Sequence, residues 1–329
     1  MTLFNALWVE KTEEGYIQSI IERSIDDLPE GEVLIKVAYS SLNYKDALSA
    51  KGIPGVTRNY PHTPGIDAAG LVVSSTDPSF SEGDSVICIG FDLGMNTSGG
   101  FGEYVRVPGD WLTLLPNGLT LRESMILGTA GFTAALCVGK LERMRAVPED
   151  GPVFVTGATG GVGSVAVALL AKIGFEVVAI TGKSDKSDYL KSLGAASIVM
   201  REELQQENAK PLLATTYSHG IDTVGGNILS NLIKSVRYSG SVAVCGLVAS
   251  PKFEATVLPF ILRGINVLGI DSVTLPISEK SETWERLSSE WKLDTLDALS
   301  REIKLEQASG EIDKIFSGKI AGRTLIAHN

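Results

Sequence analysis

The chain has 329 residues, of which 44% are hydrophobic and 21% are charged. Such a composition is that of a globular protein, and it excludes an intrinsically disordered or fibrous class. The length predicts about two domains. Lys and Arg number 29, Asp and Glu number 39, and the formal net charge is −10. Neither a nucleic acid nor an anionic membrane is therefore expected as a partner.

No targeting segment or membrane span is predicted. The N-terminal segment lacks a cationic stretch followed by an apolar core. The longest uncharged stretch, 152–171, contains a glycine cluster that a membrane-spanning helix tolerates poorly. Cys88, Cys137 and Cys245 lie far apart and are odd in number, so they form no complete disulfide set and are expected to be reduced. A cytoplasmic protein is the expectation.

The first third of the chain is β-rich. Residues 32–40 alternate between two faces, as a strand does, and further short strands are predicted at 65–74, 84–90 and 101–107. Gly, Pro, Ser and Asp separate these runs. Many short strands with polar turns predict a small barrel or sandwich.

From residue 121 onwards the pattern changes to strands that alternate with helices, the first helices being predicted at 122–127 and 133–143. Short runs rich in Val and Ile between helices imply a parallel sheet that is covered on both faces. A doubly wound α/β domain, 122–263, is therefore predicted as an insertion in a β-rich domain formed by 1–121 and 264–329. The six candidate strands are 153–156, 177–181, 198–200, 221–224, 242–245 and 267–270.

The strongest local signal is a glycine-rich segment, VFVTGATGGVGS at 153–164, which joins a predicted strand to a predicted helix that Gly174 should end. Small residues let the backbone approach a pyrophosphate, whose charge then faces the free amides of the helix N-terminus. Ala158 replaces the first glycine of the G-x-G-x-x-G pattern, but the strand–turn–helix–strand context keeps the match specific. A dinucleotide site is predicted, the alternative being a glycine turn without a ligand. The expected contacts are Thr159, Gly160, Gly161 and Val162.

The end of the second strand favours NADP(H) over NAD(H). NAD sites usually place an acid there, on the ribose 2′-hydroxyl, whereas this chain has Thr181, Gly182 and Lys183. Lys183 would attract a 2′-phosphate, and Arg201 after the third strand would supply a second cation. The alternative is that both cations are solvated and that an acid at 185 or 188 reaches back to the ribose.

The sequence lacks the motifs of metal-dependent and hydrolytic catalysis. His62, His219 and His328 are the only histidines, and none pairs with a cysteine at the spacing of zinc ligands. Neither G-x-S-x-G nor the Tyr-x-x-x-Lys pair of short-chain dehydrogenases is present. The chemistry is therefore expected to rest on the nicotinamide, with no metal.

The chain contains the motifs SLNYKDAL at 41–48, PGIDAAG at 64–70, GDSV at 83–86, GTAGFTA at 128–134, the glycine-rich segment, GSVAVCG at 240–246, PFILRG at 259–264 and GR at 322–323. Over nearly the whole chain these motifs resemble those of the medium-chain dehydrogenase/reductase family, which implies a GroES-like catalytic domain split around a Rossmann domain. Zinc-dependent members have a Cys near the Asn43 position and a His-Glu pair near 66–67, so this chain resembles the zinc-free quinone-oxidoreductase branch. Within that branch it resembles the bacterial YhdH/YhfP group, which includes acryloyl-CoA reductases.

The resemblance implies a polar set around the substrate cleft beside the nicotinamide. Tyr44 is expected to bind the substrate carbonyl or the cofactor ribose, and either to donate a proton or only to position the substrate. Asp46, Asp67 and Arg323 are expected to form a charge network that orients this end of the cleft. The alternative is that Asp67 and Arg323 form a structural ion pair that closes the barrel. The catalytic set is Asn43, Tyr44, Asp46, Asp67 and Arg323, and further cofactor contacts are Tyr44, Thr129, Leu247, Ile261 and Ser272.

The implied reaction is conjugate reduction of an α,β-unsaturated carbonyl by NADPH, with hydride added to the β-carbon and a proton added to the α-carbon. An enoyl thioester such as acryloyl-CoA is the favoured substrate, and Lys51 and Arg58 are candidate cations for its coenzyme A. An NADPH:quinone reductase that takes a quinone is the second interpretation. A non-catalytic NADPH-binding protein is the third.

The predicted sixth strand, 267–270, should lie at the edge of the parallel sheet. It is apolar and contains neither Pro nor Lys. A bare edge strand invites pairing with another chain, and two-fold pairing with a second copy predicts a homodimer. The alternative is a monomer in which a helix at 281–288 covers the edge.

Overall fold

The structure is a computed structural model that describes residues 2–328. The chain divides into two compact units, and the second consists of Ala130–Asp271 and Trp291–Thr295. A strand that ends at Gly269 belongs to its sheet, so this unit extends past the boundary predicted at residue 263. The first unit consists of Met1–Thr129, Ser272–Glu290 and Leu296–Asn329.

Strands and helices follow one another along the described chain as follows. The strands are β1 (Leu3–Thr12), β2 (Gly15–Ser24), β3 (Val33–Ser41), β4 (Asp67–Ser75), β5 (Ser85–Ile89), β6 (Tyr104–Val107), β7 (Leu112–Leu114), β8 (Val153–Thr156), β9 (Val177–Thr181), β10 (Ala195–Met200), β11 (His219–Asp222), β12 (Ser241–Val244), β13 (Asn266–Gly269), β14 (Ser300–Lys304) and β15 (Arg323–Ala327). The helices are α1 (Tyr44–Ala50), α2 (Leu121–Arg143), α3 (Gly161–Ile173), α4 (Ser187–Ser192), α5 (Glu202–Gln205), α6 (Gly226–Ile233), α7 (Leu258–Arg263), α8 (Ile277–Ser288), α9 (Leu296–Leu299) and α10 (Ala308–Phe316).

The second unit contains the predicted doubly wound parallel sheet. Its strands are ordered β10-β9-β8-β11-β12-β13, and every neighbouring pair is parallel. This is the order 3-2-1-4-5-6 of dinucleotide-binding domains. The predicted strand at 153–156 and that at 177–181 coincide with β8 and β9, and β13 lies at the edge of the sheet as predicted. The fold prediction for this half of the chain is confirmed.

The first unit is built on a seven-stranded sheet and a separate hairpin. The sheet follows the order β14-β15-β3-β4-β5-β7, with β6 also paired to β3, and β1 pairs with β2 in the hairpin. Apart from the parallel β14–β15 pair, its ladders are antiparallel. Four strands of this unit, β1, β2, β7 and β14, were not predicted from the sequence. The apolar residues of β1 and β2 do not alternate strictly with polar ones, β7 has only three residues, and β14 has one apolar residue, Ile303.

Helix α2 joins the two predicted helical segments, 122–127 and 133–143, but it is interrupted at Gly128. That residue has φ 50° and ψ −159°, which lie outside the helical region. Helix α2 is long enough and apolar enough to cross a membrane, yet 78% of its most apolar 18-residue stretch is buried inside the protein. Helices in the cores of globular proteins have these same properties.

Candidate active site

Helix α1 carries three of the residues predicted for the catalytic set at or beside its first turn. Asn43 precedes the helix in an extended conformation, and Tyr44 is the first helical residue. The carboxylate of Asp46 accepts the backbone N–H of Asn43 at 2.7 Å and that of Ile66 at 2.8 Å. Asp46 is completely buried. Its role in this structure is therefore to cap the helix and to hold the loop before β4.

Asp67 is the centre of a buried hydrogen-bond cluster. Its Oδ2 accepts from Ser41 Oγ at 2.5 Å, from Asn43 Nδ2 at 2.7 Å and from the backbone N–H of Thr129 at 2.9 Å. Its Oδ1 accepts the Thr129 hydroxyl at 2.5 Å. We call Ser41, Asn43, Asp67, Thr129 and Arg323 the Asp67 cluster. Because Asp67 has no exposed surface, these donors take the place of water.

Arg323 enters the Asp67 cluster from the start of β15. Its Nε donates to the Ile126 carbonyl at 3.0 Å, and its Nη1 donates to Asn43 Oδ1 at 3.2 Å. Its Nη2 donates to Ser41 Oγ at 2.9 Å and lies 3.8 Å from Asp67 Oδ2. The guanidinium is thus paired and hydrogen-bonded, as a buried charge requires.

The interruption of α2 at Gly128 explains why these groups converge. A Cβ at this position would lie 2.4 Å from Asp67 Oδ2 and 2.4 Å from Ser41 Oγ. Arg323 bonds a carbonyl just before the interruption, and Asp67 bonds the first N–H after it. Each charge therefore matches the partial charge of the helix end that it contacts. Asp67 and Arg323 thus lie within one buried cluster, and their role as a charge network that orients the cleft or as a structural ion pair that closes the barrel stays a prediction.

Tyr44 differs from the other four residues of the predicted catalytic set. Asn43, Asp46, Asp67 and Arg323 are buried, and their polar atoms bond one another or the backbone. The Tyr44 side chain is half-buried, and within residues 2–328 its hydroxyl forms no hydrogen bond with another residue. Its ring stacks on that of Phe316. In this set, the Tyr44 hydroxyl is the group that remains available to a bound molecule.

The pKa of Asp46 gives the first unit a defined pH dependence. Burial, and then the nearby Asp67 carboxylate, raise this pKa from 3.8 to about 7, although backbone N–H groups oppose the rise. The folded protein therefore holds the proton more tightly than the unfolded chain does. The stability that this protonation contributes is complete below about pH 4 and is lost as the pH rises through about 7.

An Asp46→Asn variant should lack this dependence. Between pH 4 and pH 7 the free energy of unfolding of the wild type should fall, relative to that of the variant, by about 1.4 kcal/mol per pH unit at most. Denaturant unfolding of both proteins at several pH values measures the difference. Curves that run parallel over this range would show that Asp46 does not titrate there.

The glycine-rich segment forms the predicted turn at the N-terminus of α3. Gly160 is the residue before the helix, Gly161 and Val162 begin it, and Gly174 ends it in the left-handed conformation. No side chain caps the first turn of α3, so no side chain covers the backbone N–H groups of this turn. A Cβ at Gly163 would lie 2.2 Å from the Gly157 carbonyl oxygen, so the close packing of this turn requires glycine. The arrangement fits a pyrophosphate.

Beside this turn, the ends of β9 and β10 bring the predicted ribose-phosphate residues together. Thr181 Oγ1 lies 3.3 Å from Thr159 Oγ1 and accepts the backbone N–H of Lys183 at 3.1 Å. Arg201 donates its backbone N–H to Thr181, and its side chain lies against Gly182, where a Cβ would be 2.4 Å from Nε. The same guanidinium contacts Glu202 at 3.3 Å.

The electrostatics of Lys183 fit an anion site. Burial lowers the pKa of Lys183, Asp185 opposes this change, and the neighbouring Lys186 and Arg201 lower the pKa further. The positive charges of Lys183 and Arg201 repel each other, and a bound phosphate dianion would stabilise both of them. The 2′-phosphate end of NADP(H) thus fits the group at the ends of β9 and β10 that consists of Thr181, Gly182, Lys183 and Arg201.

The remaining predicted cofactor contacts are more dispersed. Leu247 follows β12 and is 57% exposed, and Ile261 lies on α7 and is 69% exposed. Ser272 is half-buried in the loop between β13 and α8. Their contact with the nicotinamide stays a prediction.

A buried polar network next to the glycine-rich turn was not predicted from the sequence. Asp222, at the end of β11, accepts Thr156 Oγ1 at 2.7 Å and the backbone N–H of Gly225 at 2.8 Å. Burial raises the pKa of Asp222. Thr223 bonds both the hydroxyl and the carbonyl of Thr156. The available signal was an acid within the predicted strand 221–224.

Family models and known proteins agree with this architecture. A family model described as alcohol dehydrogenase GroES-like domain matches residues 29–117, and one described as zinc-binding dehydrogenase matches residues 161–290. "Putative quinone oxidoreductase YhfP" of Bacillus subtilis is 48% identical over 99% of both chains, and acrylyl-CoA reductase AcuI of Ruegeria pomeroyi is 44% identical over 99% of this chain and 100% of its own.

Two solved structures superpose closely on the chain. The yhdH oxidoreductase of Salmonella enterica in complex with NADP has a TM-score of 0.96 and 43% identity, and covers 99% of this chain and 100% of its own. B. subtilis yhfP with NAD bound has a TM-score of 0.97 and 48% identity, with complete coverage of both chains. The chain therefore belongs to the medium-chain dehydrogenase/reductase family, and it is an oxidoreductase of the nicotinamide-dependent class.

The Asp67 cluster does not fit the zinc ion that one family description implies. Zinc ligands are Cys, His and carboxylate groups with free lone pairs, whereas the oxygens of Asp67 already accept four hydrogen bonds. The guanidinium of Arg323 also lies within 3.8 Å of the carboxylate and would repel a cation. Across residues 2–328, no group of three or more His, Cys, Asp and Glu residues is placed to hold a metal.

Proposed function

We propose that this oxidoreductase uses NADPH to reduce the C=C bond of an α,β-unsaturated carbonyl compound, and that an enoyl thioester such as acryloyl-CoA is its favoured substrate. The observation that carries the proposal is the Tyr44 hydroxyl, which has no partner in the described chain while the polar groups around it are satisfied. The relative named acrylyl-CoA reductase supports the choice of a thioester.

Tyr44 has the chemistry that this reaction needs. When bound, NADPH supplies a hydride to the β-carbon of the substrate. Negative charge then develops on the carbonyl oxygen, where a phenol O–H can donate a hydrogen bond. A proton is added to the α-carbon, from Tyr44 or from water, to complete the reduction. The helix cap at Asp46 and the bonds of Asn43 hold the start of α1, so the phenol is presented from a rigid backbone.

The Lys51 and Arg58 side chains differ in their availability to a coenzyme A phosphate. Lys51 Nζ lies 2.5 Å from Asp313 Oδ1, so its charge is already paired. Arg58 is exposed, and its backbone N–H donates to Asn96 Oδ1 at 3.0 Å. Of these two candidates, Arg58 is the better phosphate contact.

A quinone is the second candidate substrate, because the B. subtilis relative is named for that activity. A panel of acryloyl-CoA, crotonyl-CoA, small enones and quinones, followed by NADPH absorbance, separates the two. We expect kcat/KM to be highest for the thioesters, with the same values after treatment with a chelator. Preference for quinones would establish the second candidate, and no turnover of any compound would indicate a non-catalytic NADPH-binding protein.

We also propose that this chain prefers NADPH to NADH. Lys183 and Arg201 at the ends of β9 and β10 support the preference, and the Salmonella relative was solved with NADP. The structure of the B. subtilis relative contains NAD, so relatives of this kind accept both dinucleotides as ligands. The preference therefore has to be tested on this chain.

Replacing Lys183 with alanine should weaken NADPH binding more than tenfold. A charge-assisted contact to phosphate contributes about 1.5–3 kcal/mol, and NADH lacks the phosphate, so its Kd should change by less than about threefold. Titration calorimetry with both dinucleotides measures the two constants. Lys191→Ala, on the exposed face of α4, is the matched control. Equal affinity of the wild type for NADH and NADPH would contradict the assignment.

The edge of the parallel sheet supports the proposal that the protein is a homodimer. The backbone N–H groups of Asn266 and Ile270 donate to carbonyls at the β12 side of β13. Because N–H groups alternate along a strand, those of Val267 and Gly269 point to the open edge. A second copy could pair there about a two-fold axis.

Gly269 provides a clean test of the dimer. A Cβ at Gly269 would have no heavy atom within 4 Å, so Gly269→Ala should stay dimeric, whereas Gly269→Pro should lose the outward N–H that a second copy would use. Light scattering at micromolar concentration should give twice 34.9 kDa for the wild type and for the alanine variant, and 34.9 kDa for the proline variant. A wild type that stays at 34.9 kDa at all concentrations would reject the dimer.

A further inference from the structure

The ring of Phe316 is the packing partner of the Tyr44 ring. The two ring centroids lie 6.4 Å apart, and the ring planes differ by 12°. This is an offset stack within the distance range in which aromatic pairs attract each other. Phe316 is the last residue of α10 and is 40% exposed.

Helix α10 is itself fixed against α1. Between the helices, the buried residues Ala47, Ala50, Ala308 and Ile312 belong to one core cluster and have no exposed surface. Asp313, one turn before Phe316, forms an ion pair with Lys51 directly after α1. Phe316 therefore contacts Tyr44 from helix α10, whose position is fixed by its packing against α1.

The phenol of Tyr44 depends on this contact for its orientation. Its hydroxyl has no hydrogen-bond partner in residues 2–328, so no polar contact fixes the rotation of the side chain in the free protein. The backbone of Tyr44 is held by the helix cap, but this leaves the side-chain torsions open. The flat face of Phe316 restricts them, because a parallel stack is lost when the Tyr44 ring turns.

We propose that Phe316 is a positioning residue, which holds the Tyr44 ring so that the hydroxyl meets the carbonyl oxygen of the substrate. This role rests on the proposed function of Tyr44.

Kinetics of Phe316 variants test the role. Phe316→Ala should lower kcat with acryloyl-CoA by about tenfold, because small misplacement of a catalytic group is costly, and should leave the KM for NADPH unchanged. Phe316→Tyr keeps a flat ring and should restore kcat, whereas Phe316→Leu should not. Phe253→Ala, at a phenylalanine that is 42% exposed in the second unit, is the matched control. An unchanged kcat in Phe316→Ala would overturn the proposal.

A double variant shows whether Phe316 acts through the Tyr44 hydroxyl. If it does, Phe316→Ala should have no further effect on kcat in a Tyr44→Phe background. Equal losses in both backgrounds would overturn the positioning role and leave a purely structural one. Wild-type kcat in Tyr44→Phe alone would overturn the proposed function of Tyr44, and the role of Phe316 would fall with it.

Spectroscopy gives a readout that does not depend on turnover. In protein labelled with ¹³C-tyrosine, the Tyr44 ring signal is identified by its absence in Tyr44→Phe. The stack predicts a ring-current shift of this signal, which should be lost in Phe316→Ala, kept in Phe316→Tyr and unaffected in Phe253→Ala. A Tyr44 signal that does not move in Phe316→Ala would overturn the proposal even if kcat falls, because the loss would then have another cause.

Discussion

Replacing Arg323 with methionine is expected to lower the free energy of unfolding of the first unit by about 3–5 kcal/mol. The side chain is 2% exposed and Asp67 has no exposed surface, so the variant leaves a buried carboxylate without its cation. It also leaves the Ile126 carbonyl and Asn43 Oδ1 without their donor. Loss of one partner of a buried pair costs more than the pair itself contributes, because the remaining charge cannot reach water.

The measurement is denaturant unfolding followed by tryptophan fluorescence. Trp8, Trp111 and Trp284 lie in the first unit, so the signal reports mainly on that unit. Arg122→Met is the matched control, since Arg122 bonds Asp297 and Glu302 at the surface, and exposed pairs contribute about 0–1 kcal/mol. A loss in Arg323→Met no larger than that of the control would show that the Asp67 cluster is not a structural element.

The parallel sheet could be predicted because its signals are local. The β9 run, Val177–Thr181, consists of buried residues between a helix that ends at Gly174 and a polar turn. The glycine-rich segment adds a turn that only a few folds use, and its position between β8 and α3 fixes the direction of the chain. Such features need no knowledge of distant contacts.

The arrangement of the Asp67 cluster could not be derived in the same way. Arg323 and Ser41 are bonded although 282 positions separate them along the chain. Motif resemblance placed Asn43, Asp67 and Arg323 around the substrate cleft, as part of a charge network or a structural ion pair, but it did not give the hydrogen bonds that join them. The interruption at Gly128 that brings them together depends on tertiary contacts to both sides of one helix. Phe316 carries no motif at all and is found only through its contact with Tyr44.

Tyr44→Phe is expected to lower kcat for an unsaturated thioester by about 100-fold, which corresponds to about 2.7 kcal/mol of transition-state stabilisation. The variant removes one oxygen atom and keeps the ring that stacks on Phe316, so the stability of the fold should not change. The KM for NADPH should stay within about twofold, because the phosphate contacts lie elsewhere in the chain. Tyr104→Phe, in the same unit, is the matched control.

The size of this loss should depend on the substrate. Reduction of a C=C bond needs stabilisation of charge on the carbonyl oxygen and a proton at the α-carbon. In the proposed function, Tyr44 serves the first need and is a candidate for the second. Reduction of a quinone leaves charge on an oxygen that water protonates readily, so Tyr44→Phe should lower that rate by less than about tenfold. Steady-state kinetics with acryloyl-CoA and a quinone, in wild type and variant, give the ratio. Equal losses for both substrates would show that Tyr44 binds carbonyl oxygens in general, and losses below about threefold would place the donor on another residue.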